Sequence, residues 1–255
     1  MMDSIHIPKI IHYCWFGGKP LPAMAKKCIA SWQKFLPDYE IKRWDESNFD
    51  INIIPYTKEA YENKKYAFVS DYARLWILYN HGGVYFDTDV EVIKPLYDII
   101  SAGAFMGCQS KFDQQKDAAS LDVNPGLGLG AGKGHKIYLE LITLYNELHF
   151  IQKDGSFNYK TIVHNTSEIL AKHGLKNIPG IQNIEGITVY PWDYFCPMSP
   201  TLILELTENS RTIHLFSATW ESKKVRFRKT IKRLLGHKLT KIIQPVVERA
   251  GKHLK

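Results

Sequence analysis

The feature that most constrains this chain is the passage from a helix-periodic segment into an acidic turn. From Tyr66 to His81 apolar residues fall at 68, 72, 75 and 79, the spacing of one helix face, and Gly82-Gly83 supplies a C-terminal stop. Val84-Tyr85-Phe86 then reads as a short buried strand that runs directly into Asp87-Thr88-Asp89. A helix stopped by glycines and followed by an apolar strand is half of a β-α-β unit, and the residues before it supply the other half. Ile7 to Phe16 reads as a buried strand ending at Gly17-Gly18, Ala23 to Phe35 as a helix, Tyr39 to Trp44 as a strand and Lys58 to Lys65 as a short helix. That order predicts an α/β fold with a mostly parallel central sheet.

Further strands are expected at Ala104 to Gln109, Gly126 to Ala131, Ile187 to Tyr190 and Thr212 to Phe216. Helices are expected at His135 to His149 and Thr166 to His173, with a polar loop over Lys111 to Asn124. The glycine-rich run from Gly126 to Gly134 lacks the order of a phosphate-binding loop and reads as a strand and turn on the acceptor side of the site. Cys14, Cys28, Cys108 and Cys196 lie far apart, with no C-x-x-C pair, and read as reduced thiols. No stretch approaches the roughly 20 apolar residues of a membrane span, and the N-terminus lacks a signal-peptide core, which predicts a cytoplasmic protein.

Charge divides the chain. Of 33 basic and 26 acidic residues, 12 and one fall in 223–255, so the tail carries +11 and the remainder is left with 21 basic against 25 acidic residues, net −4. Within the tail Ile231, Leu234, Leu235, Leu239, Ile242, Ile243, Val246 and Val247 follow a helical stripe with lysines and arginines between them. Residues 1–222 are therefore read as the folded domain and 223–255 as a basic amphipathic helical tail, interrupted at Pro245. Such a tail fits the inner face of an anionic membrane; a helix docked on the body is the other reading. Neither requires nucleic acid.

Asp87 and Asp89, two residues apart at a strand end, lie where α/β sheets bind ligands, and in extended geometry both point to one face. Together they offer hard oxygen ligands to Mn²⁺ or Mg²⁺, although a solvated turn also explains a D-x-D tripeptide. Asp71 and Arg74, at i and i+3, share a helix face leading toward the same strand end, and a surface ion pair is the bland alternative.

The combination I-P-K-I-I-H-x-x-W-F-G-G at 7–18, S-D-x-x-R at 70–74 and G-G-V-Y-x-D-x-D at 82–89 resembles the family 32 D-x-D-containing glycosyltransferases. That family includes bacterial capsular polysaccharide glycosyltransferases and yeast α-1,6-mannosyltransferases, with the glucosylating domains of large clostridial toxins as distant relatives. The resemblance implies a GT-A-like fold, a nucleotide-sugar donor, a divalent metal and retention of anomeric configuration. It also implies roles. Trp15 would stack on the nucleobase, an ordinary core aromatic being the alternative. Asp71 and Arg74 would hold the donor sugar, with Arg74 also available to the phosphates, Asp87 would contact ribose and sugar, and Asp89 would bind the metal. A weaker match, H-L-F-S-A-T-W at 214–220, implies that His214 lies beside the metal as a neutral imidazole, a packed strand histidine being the alternative, and that Thr219 and Trp220 reach the diphosphate, with Ser217 as an alternative to Thr219. Leu215 and Thr219 depart from the family pattern there. The expected activity is transfer of a sugar, from a UDP-sugar by preference, to a glycan or lipid-linked glycan acceptor in surface polysaccharide synthesis. The rivals are a toxin-like enzyme that glycosylates protein and a non-enzymatic basic binding module.

Overall fold

The structure is a computed structural model that describes residues 6–113, 115–199 and 203–217. Helices and strands alternate through the first half. They run β1 (Ile10–Cys14), α1 (Ala23–Phe35), β2 (Glu40–Trp44), α2 (Pro55–Glu62), α3 (Tyr66–His81), β3 (Gly83–Tyr85), β4 (Val90–Val92) and α4 (Tyr97–Ser101). The second half continues with β5 (Phe105–Gly107), β6 (Leu129–Ala131), α5 (Lys136–Asn146), α6 (Ile162–Lys172), β7 (Gln182–Ile184), β8 (Ile187–Tyr190), α7 (Trp192–Phe195) and β9 (Thr212–His214).

Seven strands form one sheet in the order β2-β1-β3-β6-β5-β8-β7, while β4 and β9 pair separately. Pairs β1–β2, β1–β3 and β5–β8 are parallel, whereas β6 is antiparallel to both of its neighbours and β7 to β8. Five of the seven strands therefore run the same way, the mostly parallel α/β sheet expected from the element order. The sheet is covered on both faces. Along β1, Ile11 and Tyr13 enter one apolar cluster with Trp32 of α1, while Cys14 enters the other with α2, α3, α5 and α6. That alternation is the period-two pattern of a strand buried on both sides.

Two expected helices are displaced toward their N-termini. Helix α2 starts at Pro55 because proline at the first helical position costs no hydrogen bond, and it gives way to Lys64 in a left-handed conformation (φ 58). Helix α6 starts at Ile162, where the Thr161 side chain accepts from the His164 N–H and caps it. Strands β4 and β7 and helices α4 and α7 fall in segments too short for periodicity to reveal.

The junction that delivers β3 depends on His12. The Trp44 indole N–H can only donate, and it donates to Nδ1 of His12 at 3.0 Å, so the ring proton sits on Nε2 and is donated to the Gly82 carbonyl at 3.0 Å. One neutral imidazole, fully buried, thus ties β1 and β2 to the end of α3. Gly82 and Gly83 both hold positive φ, 66° and 104°, and a Cβ on Gly83 would meet His12 Nε2 at 2.8 Å and the Ile10 carbonyl at 2.7 Å. The glycine pair is needed for backbone shape and close approach.

Burial, the largest influence, lowers the His12 pKa from 6.5 to about 4, against the Gly82 hydrogen bond, which raises it. The unfolded chain then binds more protons than the folded one between these values, so stability falls as pH drops through this window. Chemical unfolding at pH 5 should show about 2 kcal/mol less stability from this group than at pH 7.5. The His12→Gln variant, less stable at both pH values, should lack that increment. An identical pH dependence in the two proteins would remove His12 from the account.

Candidate active site

Strands β1 and β3 are parallel neighbours, so Trp15 and Asp87, which follow their last residues closely, emerge at the same carboxyl edge of the sheet. Between the aspartates the backbone is not extended. The Val90 N–H donates to the Asp87 carbonyl at 3.0 Å, closing a tight turn, so the two carboxylates come together across a turn rather than along the extended strand that was expected. The turn sends them to different partners. Asp87 faces α3, and Asp89 faces β9.

On the α3 side, Arg74 is only 4% exposed and lies between two carboxylates. Its Nη2 is 3.1 Å from both Asp71 Oδ1 and Asp87 Oδ1, Nη1 donates to Asp87 Oδ2 at 3.3 Å, and Nε donates to the Ser70 carbonyl at 3.1 Å. The pair at 71 and 74 is therefore a buried ion pair rather than a surface one. Tyr85 closes the arrangement, with its ring 4.9 Å from the guanidinium and its hydroxyl donating to Asp87 Oδ1 at 3.1 Å. Burial pushes the Asp71 carboxyl up to about 6, with Arg74 pulling the other way. Burial raises Asp87 as well, against the same guanidinium, although its side chain retains 29% of its surface.

Asp89 is held from the C-terminal side. Its Oδ1 lies 3.3 Å from His214 Nε2, and its Oδ2 accepts from both the backbone N–H and the hydroxyl of Ser217 at 2.9 Å. Burial alone would raise Asp89, but the His214 imidazolium and the hydrogen bonds from His214 and Ser217 hold its carboxyl below the usual range. Burial would lower His214, and Asp89 outweighs it, raising the imidazole to about 10. Asp87, Asp89 and His214 can present ligand atoms that all lie within 4.8 Å of one another. His214 Nδ1 is buried without a hydrogen-bond partner. Two carboxylates, with the imidazole once it has released its proton, offer a donor set for Mn²⁺ or Mg²⁺, so the residues present fit a divalent cation.

Two residues of the site were not singled out in the sequence, and a third was given a different role. Tyr85 orients Asp87, and Asn124 shapes the turn that passes over it. Asn124 Oδ1 accepts from the Gly126 N–H at 2.7 Å, and the Gly126 carbonyl accepts from the Asp87 N–H at 3.1 Å. Gly126 lies so close that a Cβ there would collide with the Asp87 carboxylate. The glycine run read as an acceptor-side turn thus begins as a wall of the aspartate site. Ser217, named only as an alternative phosphate contact, is the third, through its hold on Asp89. Trp15 is half-buried against the α1-side cluster, its indole N–H donating to the Lys19 carbonyl at 2.6 Å. Cys14 beside it is fully buried, which pushes its thiol up to about 12, and all four cysteines are free and buried. Thr219, Trp220 and the basic tail lie outside the described residues.

Residues 22–106 match the family model of the glycosyltransferase sugar-binding region containing a DXD motif. This segment is similar to a D-x-D sugar-binding region. The chain is 35% identical over 105 residues to "Uncharacterized glycosyltransferase L373" of Acanthamoeba polyphaga mimivirus, covering 39% of this chain and 42% of that one. It is 28% identical over 175 residues to inositol phosphoceramide mannosyltransferase 3 of Schizosaccharomyces pombe, covering 66% and 44% respectively. The chain thus spans less than half the length of these relatives. Among solved structures the PaToxG glycosyltransferase is similar over 65% of this chain and 69% of its own, at 18% identity and a TM-score of 0.48. The resemblance read from the motifs holds, and the D-x-D region places its aspartates at the carboxyl edge of a mostly parallel sheet.

Removing Arg74 leaves two carboxylates facing a vacated buried site. Arg74→Met should cost about 3 to 5 kcal/mol in urea unfolding, the scale of a broken buried pair. Adding Asp71→Asn should recover at least about 1 kcal/mol of that, because one orphaned charge disappears. Strict additivity of the two substitutions would contradict the buried pairing.

Proposed function

We propose that this chain transfers a sugar from a nucleotide-sugar donor, a UDP-sugar by preference, to a glycan or lipid-linked glycan acceptor of a surface polysaccharide, with retention of configuration. The observation that carries this reading is the convergence of Asp87, Asp89 and His214 at the sheet's carboxyl edge, the two aspartates lying within the segment that matches the D-x-D family model. The named activities of the relatives, one a mannosyltransferase, favour the same reaction class.

Asp89, Asp87 and His214 would hold Mn²⁺ or Mg²⁺, which supplies neutralisation of the charge developing on a departing diphosphate. Arg74 is spent on Asp71 and Asp87, which favours a role in fixing the Asp87 carboxylate over one in gripping phosphate directly. Asp71 and Asp87 retain exposed edges with which to accept hydrogen bonds from donor hydroxyls. Trp15 offers a half-buried aromatic surface at the same sheet edge for the nucleobase, and Thr219 with Trp220 is assigned to the diphosphate. In the transfer, a bond forms between the acceptor oxygen and the anomeric carbon as the bond to the diphosphate oxygen breaks, and the acceptor proton passes to the departing phosphate. Among the described residues no helix is long and apolar enough to cross a membrane. The tail at 223–255 is assigned to an anionic membrane surface on the cytoplasmic side.

Two substitutions separate the roles. Asp89→Asn keeps size and removes the charge, so turnover at saturating Mn²⁺ should fall at least about a hundredfold. Trp15→Ala should raise KM for the donor roughly tenfold with kcat nearly intact, because stacking is made equally in the ground and transition states. Steady-state kinetics with UDP-sugars decides both, and normal turnover in Asp89→Asn would sink the metal assignment. For the tail, sedimentation with anionic liposomes should show binding that weakens with added salt and disappears when residues 223–255 are deleted. Persistent pelleting of the truncated chain would refute that assignment.

A further inference from the structure

A second feature lies on the same edge of the sheet. Strands β5 and β8 are parallel to each other, and β5 runs the same way as β3 because both are antiparallel to β6. The segments that follow β5 and β8 therefore leave the sheet on the aspartate side. Between them opens a cavity of about 280 Å³ whose walls include Leu121, Val189, Trp192, Phe112 and Ile178. Phe112 is 43% exposed and Ile178 45%, so the apolar lining continues outward to the mouth. The neighbouring segment 203–206 adds exposed Ile203, Leu204 and Leu206, and it is fastened to the mouth by Lys111, whose ammonium lies 2.8 Å from Glu205 and 4.5 Å from the Trp192 ring. Single exposed apolar residues need no explanation, but a group of them around one apolar cavity marks an interaction site.

The polar groups in the lining already have partners within the protein. Ser110 Oγ accepts from the Asp122 N–H, the Gln182 amide bonds in both directions with the Lys176 backbone, and the Asp193 carboxylate accepts from Thr207 and Asn209. A sugar subsite needs polar groups ready to meet hydroxyls, and this lining instead offers hydrocarbon surface. A chain of contacts links the cavity wall to the aspartate site. Cys108 lines it, the adjacent Gln109 accepts from Asn124 at 2.8 Å, and Asn124 holds the Gly126 turn that walls Asp87.

From these observations we infer that the cavity seats the hydrocarbon chain of an amphipathic acceptor whose polar end lies toward Asp87 and Asp89. The inference rests on the glycosyltransferase reading and narrows its acceptor to a molecule with an apolar tail. The hydrocarbon enters the cavity by desolvation alone, so affinity depends on chain length rather than on the identity of the head sugar.

The test uses the full chain without donor, titrated with hexyl, octyl and decyl β-glucoside below their micelle concentrations and followed by calorimetry. Affinity should rise roughly tenfold for each two added methylenes until the cavity is full. Phe112→Glu and Ile178→Glu, both at the exposed mouth, should abolish most of that increase with melting temperatures unchanged. Affinity independent of chain length would overturn the inference. So would chain-dependent binding that both variants retain, which would place the site elsewhere, the basic tail included. A dimer in sedimentation equilibrium that Ile178→Glu dissolves would assign the patch to a second copy of this chain and likewise overturn it. A separate thermal-shift arm with UDP-sugar and Mn²⁺ tests the parent reading. If the alkyl chains bind as expected and no nucleotide sugar does, the cavity stands and the acceptor role falls.

Discussion

A buried guanidinium holds two carboxylates together, and much of the site is arranged around it. Arg74 is almost fully enclosed yet reaches Asp71 on its own helix and Asp87 at the end of β3. Enclosing a charge is costly unless paired and hydrogen-bonded, so every neighbouring element must meet it with matching polarity. Helix α3 supplies Asp71 and the Ser70 carbonyl, β3 supplies the Tyr85 ring and hydroxyl, and the turn after β3 supplies both oxygens of Asp87. Gly126 is the consequence on the opposite side, since no side chain fits between its backbone and that carboxylate. The first aspartate of the D-x-D turn is thereby fixed before any ligand arrives.

The second aspartate is held by different means. Asp89 belongs to a turn whose far side is closed by β9, paired with β4 through Val90 and His214. That two-stranded ladder makes neighbours of Asp89 and His214, 125 positions apart in the chain, and Ser217 completes the hold. One carboxylate is thus tied to the N-terminal half and the other to the C-terminal end of the described chain. A cation held by both would bridge the two halves of the fold.

The sequence made the first half of the fold legible because its elements are long or sharply punctuated. Helices α1 and α3 begin and end where periodicity, Pro22 and Gly82 place them, and β3 follows directly from the glycine pair. The short elements were not legible. Strand β4 offers only Val90-Glu91-Val92, and its reality depends on β9, which pairs with it from the other end of the chain. Helix α7 is four residues long, too short for any period to register, and it is placed by the stacking of Phe195 on Phe105 and by the Thr212 hydroxyl bonded to its Phe195 carbonyl. The candidate site divides in the same way. Asp71, Arg74, Asp87 and Asp89 stood out by spacing, whereas Tyr85, Asn124 and Gly126 are ordinary strand and turn residues until the sheet brings them against Asp87.

The sequence by itself determined the β-α-β order, the glycine stop after α3, the acidic turn at a strand end and the separation of a −4 body from a +11 tail, because these depend on local periodicity, backbone freedom and composition. Tertiary structure decided the rest. It turned the pair at 71 and 74 from a helix-surface motif into a buried charge cluster, closed a tight turn between the aspartates, and brought His214 and Ser217 to Asp89. It also opened an apolar cavity where the loops after β5 and β8 diverge. Each of these depends on which distant backbone fills the space beside a residue, and burial then sets how strongly its charge must be paired. Spacing along one segment contains no information about that neighbour.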